Sequence, residues 1–199
     1  MRLNEYLDDI TFKSFVKNND IFELYQSNPR YRYIYRGVDK NIKTYQIFTR
    51  RKNRIPRDMD DNYHDLFNVK FQQKFGWKAR SEGIFTTSNF KNAEGYGHVY
   101  IFIPENNYSF IWSNRIIDLW TEFSSYNRLY GSYLSKRETE ILNMNDINSK
   151  EVKEIIDRLL KTYTDTNIKN AIISGHEIMF NCNAYMLINL KYFEQEILP

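Results

Sequence analysis

Three short clusters in this 199-residue chain hold side chains able to do chemistry. Tyr35-Arg36-Gly37 offers a guanidinium, Phe85-Thr86-Thr87-Ser88 a run of hydroxyls, and Gly175-His176-Glu177-Ile178-Met179 a carboxylate. A guanidinium is planar and grips a diphosphate with two parallel hydrogen bonds, which the point charge of a lysine does less well. On an alternating strand Thr86 and Ser88 share a face and Thr87 takes the other, so one face presents two hydroxyls. A carboxylate such as Glu177 can stabilise positive charge that develops as a bond breaks. Taken singly, the same residues are what ordinary strands contain: a surface arginine, good strand formers and an edge charge.

Other candidates lead less far. His176 adjoins Glu177 but lacks a second partner for acid–base work, and reads as a loop residue. Cys182 is the single cysteine, which removes any disulfide framework and gives little basis for a thiol nucleophile. His64, His98 and His176 are scattered, no zinc spacing can be assembled, and no metal is expected. The absence of a Gly-x-Gly-x-x-Gly run argues against a Rossmann site and the hydride chemistry that accompanies it. Arg50, Arg51, Lys52, Arg54 and Arg57, with Arg30, Arg32 and Arg36 shortly before, make a basic stretch. It reads first as a solvated loop and second as a patch attracting phosphates or acidic partners.

The elements that must position these groups follow from hydrophobic spacing. Leu3, Tyr6, Leu7, Phe12, Phe15, Val16 and Phe22 recur at helical intervals over the first 28 residues, until Asn28-Pro29 ends the region. Residues 31–38 alternate as a strand, placing Arg36 near its end. Residues 50–63, charged and containing Pro56, read as a long loop; His64 to Phe75 follows as a helix. Gly83 to Ser88 is expected as a strand, Asn92 to Tyr96 as a helical turn, and His98 to Ile103 as a strand stopped by Pro104. Phe110 to Trp112 suggests a strand and Ile116 to Phe123 a short helix. Val152, Ile155, Ile156, Leu159, Leu160 and Tyr163 form the clearest helical stripe, with Asn148 and Glu151 placed as a capping pair. Glu177 to Phe180 and Ala184 to Leu190, joined by Asn181-Cys182-Asn183, read as a hairpin.

Helices and strands are mixed rather than strictly alternating, which makes the class α+β. A length of 199 residues with 42% hydrophobic and 27% charged residues fits one globular domain, and the 16 Tyr and 14 Phe imply a core of aromatic strands. Neither a charged start leading into an apolar stretch nor an apolar run near about 18 residues is present. No signal peptide or membrane partner is therefore expected, and the expected location is a cytoplasm.

In their order and placement the three clusters resemble the ADP-ribosyltransferase family whose motif is Arg, then Ser-Thr-Ser, then Glu, including bacteriophage and bacterial toxin members. Tyr35-Arg36-Gly37 matches the context of the strand arginine, and Thr86 replaces the first serine while keeping its hydroxyl. Ala93 and Tyr96 look like the small residue and aromatic of the short helix that follows. Glu177-Ile178-Met179 is similar to the catalytic glutamate opening a strand. The resemblance implies a split mixed β-sheet over one domain spanning 1–199, with a helical N-terminal segment at 1–30. The longer interval between Ser88 and Glu177 implies an insertion with its own helix at 105–170.

It further implies NAD as co-substrate, with Arg36, Gly37, Thr86, Thr87 and Ser88 binding it and Phe90 or Tyr96 stacking on nicotinamide. Glu177, Arg36 and Thr86 are the implied catalytic set, Thr86 orienting Glu177, all converging around one dinucleotide. The acceptor would be a host protein or nucleic acid, in a bacterial host cytoplasm if the chain is phage-encoded. Gly175 stands where arginine-modifying members carry a second glutamate, which leaves the acceptor open. Two other classes fit the same residues. One is a nucleic-acid-binding protein built on the basic loop and abundant rings. The other is a phage structural or host-takeover protein that keeps the fold without catalysis.

Overall fold

The computed structural model describes residues 11–27, 33–51, 53–54, 60–123, 133–144 and 146–197. A helical stretch at 11–16 leads into α1 (Asp20–Ser27), β1 (Tyr35–Val38), β2 (Tyr45–Thr49), α2 (Asp61–Phe75), α3 (Ala79–Glu82) and β3 (Ile84–Thr87). Next come α4 (Phe90–Glu94), β4 (His98–Pro104), β5 (Ser109–Ser113), α5 (Leu119–Phe123), α6 (Lys136–Met144) and α7 (Lys150–Lys161). The chain ends with β6 (Tyr163–Thr164), α8 (Ile168–Ser174), β7 (Glu177–Asn181), β8 (Ala184–Asn189), α9 (Leu190–Tyr192) and a π-helical turn at Phe193–Ile197. The class is mixed α+β. Among the described residues no helix is long and apolar enough to cross a membrane.

The chain forms two compact units, passing between them at residues 50/51, 85/86, 109/110 and 181/182. In the first unit, β2, β8, β4 and β1 lie side by side, every pair antiparallel. β1 also pairs antiparallel with β3, Tyr35 opposite Thr87. The inner positions of β4 and β8 are a nearly unbroken apolar run, as strands covered on both faces require. Rings close this core: Tyr33 meets Tyr25 edge-on at 5.2 Å and Phe193 at 5.4 Å. The Tyr25 hydroxyl donates to the Phe102 carbonyl and accepts from the Ile34 N–H, which satisfies polar groups that burial would otherwise leave unpaired. Aromatic side chains thus come from α1 and the C-terminal turn as well as from strands.

The second unit sets α2, α5, α6 and α7 around β5, β6 and β7. Val152, Ile155, Ile156, Leu159 and Leu160 bury one stripe of α7 against Phe67 and Phe71 of α2, Ile111 of β5 and Met179 of β7. Burying five such side chains contributes on the order of 1.5–3 kcal/mol each before entropy is charged.

Several boundaries differ from the sequence reading for identifiable reasons. The α7 cap is Ser149, whose side chain accepts from the Val152 N–H, whereas Asn148 bonds Asp146 and no Asn148–Glu151 box forms. Tyr163 continues the apolar stripe but lies in β6, beyond the helix. α2 starts at Asp61 because the Asp60 carboxylate accepts from the Asn62 N–H, so the loop ends earlier than expected. Asn89 caps α4 through the Asn92 N–H, moving that turn two residues earlier. α5 begins at Leu119, with Asp118 Oδ1 accepting from Trp120 and Thr121, and residues 116–118 stay outside it. Tyr33 and Ile34 precede β1 rather than belonging to it. Pro104 is the last residue of β4 rather than its stop, its carbonyl accepting from Asn19 Nδ2.

The hairpin expected at the C-terminus is absent. β8 pairs with β2 and β4, while β7 neighbours β5. A two-residue hairpin turn needs positive φ, and Asn181, Cys182 and Asn183 are not among the residues with it. Leu3, Tyr6, Leu7, Asn28, Pro29, Arg30, Arg32, Lys52, Pro56 and Arg57 lie outside the described residues.

Candidate functional site

Within the first unit, Arg36 is the second residue of β1 and is half-buried, its guanidinium 5.7 Å from the centre of the Tyr185 ring. Gly37 follows for a steric reason: a Cβ there would stand 2.0 Å from the Ala93 carbonyl oxygen and 2.9 Å from Tyr96 Cβ. Only glycine lets α4 sit this close to β1. The ring of Tyr35 meets Phe90 edge-on at 5.5 Å. Phe90 and Tyr96 are both exposed, at 40% and 62%. The expected alternation of the hydroxyl strand holds, since Thr86 and Ser88 are buried and Thr87 is half-buried, accepting from the Asn89 N–H. The Arg36 strand, the Thr86-Thr87-Ser88 strand, Phe90 and Tyr96 are therefore brought together in one unit.

Glu177 lies in the second unit. Gly175, with φ 76°, closes α8 in the left-handed conformation and aims the chain into β7. The backbone N–H of Glu177 donates to the Ile117 carbonyl at 2.7 Å, and His176 Nδ1 lies 2.7 Å from the Ser113 carbonyl oxygen. That contact gives His176 a structural role beside β5. The Glu177 side chain is only 13% exposed, and its Oε2 lies 3.5 Å from Nη1 of Arg80, itself 8% exposed. Burial, with the Asp118 carboxylate nearby, pushes Glu177 up to about 8. Arg80, Arg54 and a backbone hydrogen bond at Leu119 pull the other way without prevailing.

Sequence reasoning missed the residues around Glu177. Arg80 sits on the short helix α3 with no motif about it, so nothing local marks it. Arg54 belongs to the basic stretch and is exposed, and its guanidinium also lies 4.1 Å from the centre of the Phe85 ring, over which Arg80 lies at 4.5 Å. His64, buried on α2, is held below its ordinary value by burial and by the charge of Arg80.

Cys182 is buried and its thiol is pushed up to about 12 by that burial, which disfavours a thiolate. Among the described residues no group of three or more His, Cys, Asp or Glu could hold a metal ion. No protein-family model, curated protein or solved structure matches the chain.

Proposed function

We propose that the chain is a mono-ADP-ribosyltransferase, built on the split-sheet architecture of that family, which takes ADP-ribose from NAD and passes it to a host protein or nucleic acid. The observation that carries this reading is the pairing of β1 with β3 at Tyr35 and Thr87. It sets the Tyr-Arg-Gly strand beside the hydroxyl strand, although a strand and two helices separate them in sequence.

In the first unit, Arg36 is the group for the diphosphate of NAD, and the exposed rings of Phe90 and Tyr96 suit its cationic nicotinamide. In the second unit, Glu177 is the carboxylate for the ribosyl cation. The bond between ribose C1 and the nicotinamide nitrogen breaks, and its electron pair leaves on neutral nicotinamide. A nucleophilic atom of the acceptor then bonds that carbon and gives up its proton. A carboxylate facing the developing oxocarbenium supplies roughly 3 to 5 kcal/mol. Positive charge close to Glu177 also favours its ionised form, opposing the burial that keeps it protonated. Gly175 in a left-handed turn suits glycine and not a second glutamate, so the reading does not assign arginine as acceptor.

The test is release of nicotinamide from labelled NAD by the full chain. Wild type cleaves, while Glu177→Ala and Arg36→Ala lose the activity. A wild-type chain no more active than Glu177→Ala ends the reading.

A further inference from the structure

A carboxyl as enclosed as Glu177 keeps one orientation only if something holds it, and in the second unit the holding structure begins on α2. Asn68 Oδ1 accepts from the backbone N–H groups of both Arg80 and Ser81 at 3.0 Å. Its Nδ2 donates to Ser81 Oγ at 2.6 Å, and the same hydroxyl lies 3.0 Å from His64 Nε2. This partly buried network fixes the first turn of α3, and with it the root of the Arg80 side chain. Phe85 braces the other end, its ring under the guanidinium. Arg80 Nε has no hydrogen-bond partner among the described residues, and the carboxylate contact at 3.5 Å is long. One buried N–H of this guanidinium thus goes unpaired, which is costly in a purely structural device.

We infer that Arg80 is a positioning residue of Glu177: with its backbone N–H held by Asn68 and its guanidinium braced on Phe85, it holds the carboxyl at the head of β7 together with the Leu119 backbone. The pairing stands on its own geometry, and its consequence for catalysis rests on the transferase reading. The groups bearing on Glu177 are Arg80 from α3, Arg54 from the loop before α2, Asp118 and the Leu119 backbone at the start of α5, and Tyr163 from β6. Arg80 and Arg54 favour the carboxylate, and Asp118 opposes it. Loss of Arg80 therefore moves ionisation of Glu177 to higher pH.

The experiment is a carbon-13 NMR titration of the Glu177 carboxyl in the full chain, its resonance identified by loss in Glu177→Gln. In Arg80→Met the midpoint is expected to rise by about one pH unit or more. In the NAD-cleavage assay kcat at pH 7 falls about tenfold and recovers towards higher pH, with KM for NAD unchanged. An unmoved midpoint in folded Arg80→Met overturns the proposal. Should that variant not fold, Phe85→Leu removes the brace instead: a raised midpoint supports the proposal, and an unchanged one overturns it. A wild-type chain that leaves NAD intact, while its Glu177 midpoint still rises in Arg80→Met, retains the pairing and removes the transferase reading.

Discussion

Tyr35 and Thr87 are register partners on the antiparallel strands β1 and β3, and the ring of Tyr35 also meets Phe90 of α4. The strand carrying Arg36 is thus held by β3 on one side, by β4 on the other and by α4 through Gly37. The backbone that roots the Arg36 side chain is therefore fixed before any ligand arrives, one part of the preorganisation that contributes to affinity.

Arg36→Ala is expected to abolish stabilisation of the chain by NAD. At a ligand concentration of about 100 times Kd, binding raises stability by about 2.7 kcal/mol, readable as a rise in Tm of several degrees. Arg36→Lys keeps part of that rise, since charge survives without the planar fork. Equal shifts in wild type and Arg36→Ala would place the diphosphate elsewhere.

Gly37→Ala forces a methyl group against the Ala93 carbonyl, a clash with backbone that no side-chain rotation relieves. The expected loss is about 1–3 kcal/mol, seen as a lower urea midpoint with an unchanged slope. A change within about 0.5 kcal/mol would mean that α4 can withdraw from β1 at little cost.

The raised pKa of Glu177 bears on stability as well as rate. Its folded value, about 8, lies above that of an unfolded glutamate. The folded state therefore holds the proton more tightly, and this stabilisation is complete at low pH and lost as pH rises through about 8. Urea unfolding from pH 5 to 9 should show wild type losing stability relative to Glu177→Gln, which carries no titrating group there. Parallel curves would rule out the buried, protonated state.

Ser149→Ala is expected to cost about 1 kcal/mol by freeing the Val152 N–H at the start of α7, whereas Asn148→Ala leaves that cap intact. Thermal unfolding of the two variants separates the assignments.

Local periodicity made part of this molecule legible. The stripe from Val152 to Leu160 marks a helix by its spacing alone, and the alternation of Thr86, Thr87 and Ser88 survives as alternating burial. What depended on partners was hidden. β7 and β8 are both apolar runs, and their spacing alone suits a hairpin; only the backbone around Cys182 and the neighbours of β8 reveal separate pairings. Arg80 escaped for a similar reason. Its importance comes from Asn68, Phe85 and Glu177, three residues on different elements, and no spacing along the chain encodes such a meeting.

Incubation of the full chain with NAD and a bacterial lysate, followed by mass spectrometry of proteins and nucleic acids, tests the transferase reading most directly. The account predicts acceptors that gain one ADP-ribosyl group with wild type and none with Glu177→Gln. No gain with wild type, or the same gain with both, would contradict it.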